Sequence, residues 1–170
     1  MPGTRRIFAG VSGSPGSVHA LRQAADLARH HDALLIPLLA WVPPDSTWQP
    51  WPELRQVWHD DAWQRLWHTL ETAFGGLPAG LCAQPAVVCG KPGKVLTGAA
   101  CQPGDVLVIG AGRRGPLRRM GGSRVARSCL AHASCPVLAI PPPSLAQHAG
   151  YGLRGWAFRH RWTQPTAQPA

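Results

Sequence analysis

The chain has 170 residues, enough for one domain with a real hydrophobic core and a short extension. It contains no apolar run near the ~18 residues of a membrane-spanning helix and no secretory-signal pattern, so a soluble, cytoplasmic protein is expected. Its 17 Lys and Arg against 8 Asp and Glu give a formal charge of +9, which suits an anionic partner better than a basic one.

In chain order, Ile7–Val11 is a short apolar strand broken by Ser12-Gly13-Ser14-Pro15-Gly16. Ser14 or Ser17 can cap the next helix, and Pro15 suits its first turn. That helix, about Ser17–His31, carries Val18, Leu21, Ala25 and Ala28 on one face. Ala33–Trp41 is a second buried strand, although Pro37 inside it cannot donate a ladder hydrogen bond and predicts a bulge or local irregularity. After a Pro- and Trp-containing loop comes a long helix, roughly Glu53–Phe74, with Leu54, Trp58, Ala62, Leu66, Leu70 and Phe74 at four-residue steps. Six of the eight tryptophans (Trp41, Trp48, Trp51, Trp58, Trp63, Trp67) fall in this region, as extra core cover or as a partner surface. His59-Asp60-Asp61 and His30-His31 read as solvated helix faces rather than acid–base centres.

Gly75–Leu81 is a turn and Gln84–Cys89 a third strand. Gly90-Lys91-Pro92-Gly93 turns into a short helix, Lys94–Cys101; neither Gly-Lys pair has the upstream glycine of a Walker loop. Val106–Ile109 is a fourth strand, followed by the Gly- and Arg-rich stretch 110–122, a helix opening at Ser123, and a fifth strand, Pro136–Ile140. Alternating strands and helices predict an α/β protein: a five-stranded doubly wound parallel sheet with helices on both faces. Ligands in such sheets sit beyond the carboxyl ends of the strands at the switch point, where the loops 12–16 and 110–122 would lie. Residues 1–143 form the expected domain; 144–170, starting in Pro- and Gly-containing sequence and losing periodicity, form an expected disordered, basic, aromatic tail.

Charge is unevenly distributed. All eight acids lie at or before Asp105, where eight Lys and Arg balance them, and the nine Arg beyond it carry the whole excess. Arg113, Arg114, Arg118, Arg119, Arg124 and Arg127 crowd the loop and the start of the following helix. Open glycine amides, a helix N-terminus and guanidinium groups together form a candidate phosphate cradle. Gly110-Ala111-Gly112-Arg113-Arg114-Gly115 also matches the dinucleotide pattern GxGxxG. That reading fails because the pattern follows the fourth strand, Pro116 interrupts the helix it requires, and no acid follows to hold a ribose. The five cysteines lack paired CxxC spacing and read as reduced, mostly buried thiols. Cys129, His132 and Cys135 are metal-ligand types, but they straddle a helix end and a strand start without an evident fourth ligand.

From Arg5 to Pro141 the chain resembles the universal stress protein family. IFAGVSGSPGSVHALRQAADLARHHDALLIPLLAW is similar to the family's opening strand, helix and second strand, VVCGKPGKVL to its third strand and turn, DVLVIGAG to its fourth strand, and RVARSCLAHASCPVLAIP to its last helix and edge strand. The nucleotide-binding branch carries glycine, two residues, glycine, nine residues, glycine and then Ser or Thr. Gly112, Gly122 and Ser123 match the second part; the first gap is one residue short, since Gly110 and Gly112 enclose only Ala111. The resemblance implies the adenine nucleotide alpha hydrolase-like fold, with ATP or a related adenine nucleotide as ligand. It implies that Gly110, Gly112, Gly122 and Ser123 surround the phosphates, that the main chain near Ala40 faces the base, and that Val11-Ser12 lies beside the ribose, with Ile109, Arg113 and Arg124 also among the cofactor-binding residues. Where this chain has Ser12 the family usually has an acid, which helps position the nucleotide or its metal; the use of Mg²⁺ is left open, and the Arg cluster can bind phosphate directly.

The resemblance further implies a homodimer paired through the edge strand Pro136–Ile140. No nucleophile–base pair is apparent near the loop, so a stress-response sensor or regulator is expected rather than an enzyme. The alternatives are the same fold with no bound nucleotide, and a module that binds nucleic acid or an anionic membrane surface through the Arg-rich loop and tail.

Overall fold

The computed structural model describes residues 5–43, 52–112 and 124–142. The elements are β1 (Arg6–Val11), α1 (Pro15–His30), β2 (Leu34–Trp41), α2 (Pro52–Phe74), β3 (Ala86–Cys89), α3 (Pro92–Ala99), β4 (Val106–Gly110), α4 (Arg124–His132) and β5 (Val137–Ile140). The strands form one sheet in the order β3-β2-β1-β4-β5, every pair parallel. The chain walks from β1 through β2 to β3, then crosses β1 to continue with β4 and β5. Because right-handed crossovers put helices on opposite faces when the direction of walking reverses, α1 and α2 cover one face and α3 and α4 the other. The core divides accordingly. Ile7, Ala9, Leu35, Leu39 and Val108 pack with Leu21 of α1 and with Ala62, Leu66 and Leu70 of α2. Phe8, Leu38, Leu107 and Ile109 pack with Leu96 of α3 and Ala126 and Cys129 of α4. Alternate residues of β1 and β4 thus serve opposite faces, which is why these strands read as continuous apolar runs.

Pro37 does not bulge β2. The β1–β2 register runs unbroken from Arg6↔Leu34 to Val11↔Leu39, with Ala9 opposite Pro37. The irregularity falls on the other side. Leu35 donates to the Cys82 carbonyl and accepts from the Gln84 amide. The next bond in that alternation would run from residue 37 to Gln84, and proline has no N–H to give. The ladder therefore lapses between the isolated bridge Leu35↔Ala83 and the pair Leu38↔Ala86. The third strand begins at Ala86 for this reason, two residues later than the apolar run suggests.

Helix boundaries follow local chemistry. Ser14 caps α1, its Oγ accepting from the Ser17 amide at 3.3 Å, with Pro15 in the first turn. The buried face of α1 is Ser17, Ala20, Leu21, Ala24, Ala25 and Ala28; Val18, expected inside, is half-buried. The small residues let α1 lie close to the sheet. α3 starts at Pro92, earlier than expected, since a proline is well suited to the first helical turn. In α2, Ala62, Leu66 and Leu70 are fully buried while Leu54 is 48% exposed. A four-residue step overshoots one helical turn by about 40°, so a stripe this long rotates off the core.

A clamp ties the amino ends of the two central strands together. The Arg6 guanidinium donates to both Asp105 oxygens, at 2.9 and 2.7 Å, and lies over the Phe8 ring at 5.1 Å. The Gln102 amide donates to the same carboxylate at 2.8 Å. Burial alone would raise the Asp105 pKa, but the bonds from Arg6 and the backbone amides outweigh it and hold the carboxyl below its usual range.

Candidate functional site

The sheet opens at one place. β1 pairs with β4 only as far as Ala9↔Val108, whereas β1 follows β2 to Val11↔Leu39 and β4 follows β5 to Gly110↔Ile140. The two central strands therefore part at their carboxyl ends, at the reversal of strand order where doubly wound sheets hold ligands. The floor of this parting is packed tightly. A Cβ at Gly110 would stand 3.0 Å from the Gly16 carbonyl oxygen and 3.1 Å from its carbon, so the end of β4 touches the first turn of α1 directly.

The turn after β1 is a network of hydroxyls. The Ser12 amide donates to Ser17 Oγ at 3.3 Å, Ser17 Oγ donates to the Ser14 carbonyl at 2.9 Å, and the Ser12 and Ser14 hydroxyls meet at 3.1 Å. Ser17 is buried; Ser12 and Ser14 face solvent. Gly13 and Gly112, one on each side of the opening, have φ of +74° and +86°, the left-handed region that glycine enters without a Cβ clash. A Cβ on Gly13 would lie 3.9 Å from Thr69 Oγ1, so α2 also reaches this turn. No acidic residue stands in the first turn of α1 or of α4.

The fold brings most of the described site candidates to one edge. Val11 and Ser12 end β1, Ile109, Gly110 and Gly112 lie at the end of β4 or just beyond it, and Ala40 lies at the end of β2, one residue past the partner of Val11. Val11 and Ile109 have their side chains buried in the two opposite core clusters, so any contact they make with a ligand is through the main chain. Arg124 opens α4 and is exposed. Arg113, Gly122 and Ser123 lie outside the described residues. Trp41, one of the aromatics of this region, lies at the same edge. It is 6% exposed at the end of β2, and its Nε1 is buried without a hydrogen-bond partner among the described residues. Ser14, Ser17 and Thr69 also stand at this turn; the capping pattern marks the serines, whereas nothing local in the sequence signals Thr69.

The remaining polar groups lead elsewhere. Cys82, Cys89 and Cys101 are exposed, contrary to the expectation of mostly buried thiols: Cys89 ends β3, and Cys82 and Cys101 lie in the connections before β3 and after α3. Burial pushes the thiols of Cys129 and Cys135 up, so both remain protonated. His132 Nδ1 pairs with the Ser128 carbonyl at 2.9 Å, and no cluster of three metal-ligating residues occurs among those described. On α2, Trp63 Nε1 donates to His59 Nε2 at 3.2 Å and Trp63 stacks on Trp67, while Trp58 and Trp63 cover the core edge. Trp48 and Trp51 lie outside the described residues. No described helix is long and apolar enough to cross a membrane.

Among solved structures, the chain is similar to the universal stress protein UspA from Lactobacillus plantarum, with 21% identity, a TM-score of 0.59, and coverage of 80% of this chain and 97% of that one. It is similar to a universal stress protein from Archaeoglobus fulgidus at 17% identity, a TM-score of 0.59 and coverage of 81% and 98%. A universal stress protein solved in complex with cAMP matches at 20% identity, a TM-score of 0.52 and coverage of 82% and 98%. These likenesses establish the fold. Comparison with curated proteins finds no significant match. The model of the universal stress protein family matches residues 3–141. The chain, with its five-stranded parallel sheet parted between β1 and β4, belongs to the universal stress protein family.

Proposed function

We propose that this protein binds an adenine nucleotide, ATP or a relative of it, in the opening between β1 and β4, and that it acts as a cytoplasmic stress-response sensor or regulator rather than as an enzyme. The observation that carries the reading is the divergence of the central strands after Ala9↔Val108, floored by Gly110 against Gly16. It sets the parted main chain of β1 and β4 beside the N-terminus of α1, the kind of setting that receives phosphate in other proteins. The cAMP complex of a protein with this fold supports the same ligand class. In this reading Gly110, Gly112, Gly122, Ser123, Arg113 and Arg124 face the phosphates and the Ala40 main chain faces the base. The unpaired Trp41 Nε1, next along β2, is a buried donor that a bound acceptor would satisfy. ATP, AMP and cAMP should each be titrated calorimetrically and by thermal shift, since a ligand bound only by the folded state raises Tm. Trp41→Phe is expected to weaken binding several-fold, or about 1 kcal/mol for one hydrogen bond. Unchanged affinity would remove Trp41 from the site.

The protein acts as a homodimer through the edge strand β5 in this reading. Leu138 is 39% exposed on β5 and Leu130 of the adjoining α4 is 59% exposed, an apolar edge that pairing would cover. A second reading, binding of nucleic acid or an anionic surface by the Arg-rich loop and the tail 144–170, rests on the nine Arg and absence of acid beyond Asp105. A salt-sensitive gel shift with DNA, together with no response to any nucleotide, would favour it.

A further inference from the structure

Two thiols meet at the end of the sheet opposite the opening, beside the Arg6–Asp105 clamp. One step before Ile7↔Val106, Arg6 and Asp105 stand side by side on β1 and β4; two steps before Leu107↔Val137, the residue beside Asp105 is Cys135. The bond from the Leu107 amide to the Pro136 carbonyl, 2.9 Å, carries the β4–β5 alignment back toward that level. Phe8, Leu107 and Val137 all serve the core between the sheet and the α3–α4 layer. Alternate residues of a strand share a face, so Arg6, Asp105 and Cys135 form a row on that same face.

Cys101 reaches this row from α3. It follows the helix directly, and its amide and that of Gln102 both bear on the Asp105 carboxylate, the latter at 2.8 Å. Cys101 and Cys135 thus border one carboxylate from two sides, and the Cys101 thiol is near enough to act on the charges of both Arg6 and Cys135. Neighbouring strands lie about 4.8 Å apart, and a disulfide spans about 4.4–6.8 Å between Cα atoms, so the row has the scale of such a bridge. Access differs between the thiols. Cys101 is exposed and Cys135 half-buried, whereas Cys129 of α4 is fully buried.

We propose that Cys101 and Cys135 are a peroxide-responsive thiol pair that closes to an intramolecular disulfide, joining the end of α3 to the segment that leads into β5. The exposed Cys101 thiolate attacks one oxygen of a hydroperoxide; the O–O bond breaks, the departing alkoxide or hydroxide takes a proton, and Cys101 becomes a sulfenic acid. The Cys135 sulfur then displaces that hydroxyl. The S–S bond forms, the S–O bond breaks, and the Cys135 proton leaves with the hydroxyl as water. The two thiols give up two electrons and the peroxide takes them. Burial, which raises the Cys135 thiol, keeps it from meeting the peroxide first and leaves it as the partner that resolves the sulfenic acid. The pair is independent of the nucleotide reading, since it lies at the far end of β4 from Gly110.

The test is to treat the reduced full chain with hydrogen peroxide, alkylate the remaining thiols after unfolding, and map the peptides by mass without reduction. The expected product is a Cys101–Cys135 linked pair, two hydrogens lighter than the separate peptides and reopened by dithiothreitol, with Cys82, Cys89 and Cys129 alkylated. Cys101→Ser, a change at an exposed position, should abolish the link. Cys135→Ser should leave a sulfenic acid at Cys101 that dimedone captures, and should raise further oxidation of Cys101 to sulfinic acid on the order of tenfold, because the neighbouring thiol no longer intercepts it. A Cys129–Cys135 link, a Cys101–Cys101 bridge between two chains, or sulfinic acid at Cys101 in the parent without any link would overturn the pair.

Discussion

At the scale of single residues, Gly110 and Asp105 mark the two ends of β4 and have opposite tasks. Gly110 has little room for a side chain, because a Cβ would stand 3.0 Å from the Gly16 carbonyl oxygen, closer than an ordinary contact. Backbone cannot rotate aside as a side chain can, so Gly110→Ala is expected to cost about 1–3 kcal/mol in chemical denaturation and to close the opening. A variant as stable as the parent would mean that α1 yields at this point. Asp105 contributes through its charge. Its folded pKa lies below the unfolded value, so the stability it supplies is present above the unfolded pKa and lost as pH falls through the folded one, below about pH 4. Asp105→Asn should therefore lower Tm at pH 7 and flatten the acid limb of a stability–pH curve; an acid limb identical to the parent's would place the titration elsewhere. Asp32, just past α1, has φ of +47°, which a side chain tolerates poorly. Asp32→Gly should raise stability by about 0.5–1 kcal/mol, measurable as a shift in the denaturation midpoint.

At the scale of elements, the two helical layers are built differently. α1 approaches the sheet through a face of Ala and Ser, whereas α2 spreads large aromatics over the sheet edge. α3 and α4 meet so closely that a Cβ on Gly93 would come 2.4 Å from Ser128 Oγ and 2.8 Å from its Cβ. Gly93→Ala should then destabilise by about 1–3 kcal/mol, and Ser128→Gly should recover part of the loss. A double-mutant cycle with no coupling would show that this crossing relaxes freely. The four-residue stripe of α2 gives its central members correctly and misplaces Leu54, since residue spacing records a helix but not where its turning face leaves the core. Pro37 is a similar case. The sequence announces a missing donor, but which neighbouring strand loses the bond depends on which way that backbone nitrogen faces.

At the scale of the whole molecule, one reversal of the chain's walk creates the opening between β1 and β4. β1 is flanked by β2 and β4, and the turn after β1 meets the end of β4 only because β3 crosses over to β4 on the other face. The exposed edge of β5 is the second consequence of that order, and it is the seam of the proposed dimer. Light scattering is expected to give a dimer for the parent and a monomer for Leu138→Lys, because a charge in place of an exposed apolar residue on an edge strand opposes pairing. A dimer that survives this substitution would place the contact on another face.

The sequence by itself determined the class of fold, the order of the nine elements among the described residues and the family, because apolar runs, caps and glycine–proline turns are local signals. It also placed Ser12 and Gly110 on loops that a doubly wound sheet brings together. Only the tertiary structure decided that Gly110 is reserved for the backbone of α1 and that β1 and β4 part after Ala9↔Val108. It likewise decided that Asp105 is spent on Arg6 at the far end of the sheet and that the Trp41 indole is buried unpaired. Each depends on which residues distant in the chain become neighbours. Residue types and spacing carry no record of that until the strands are laid side by side.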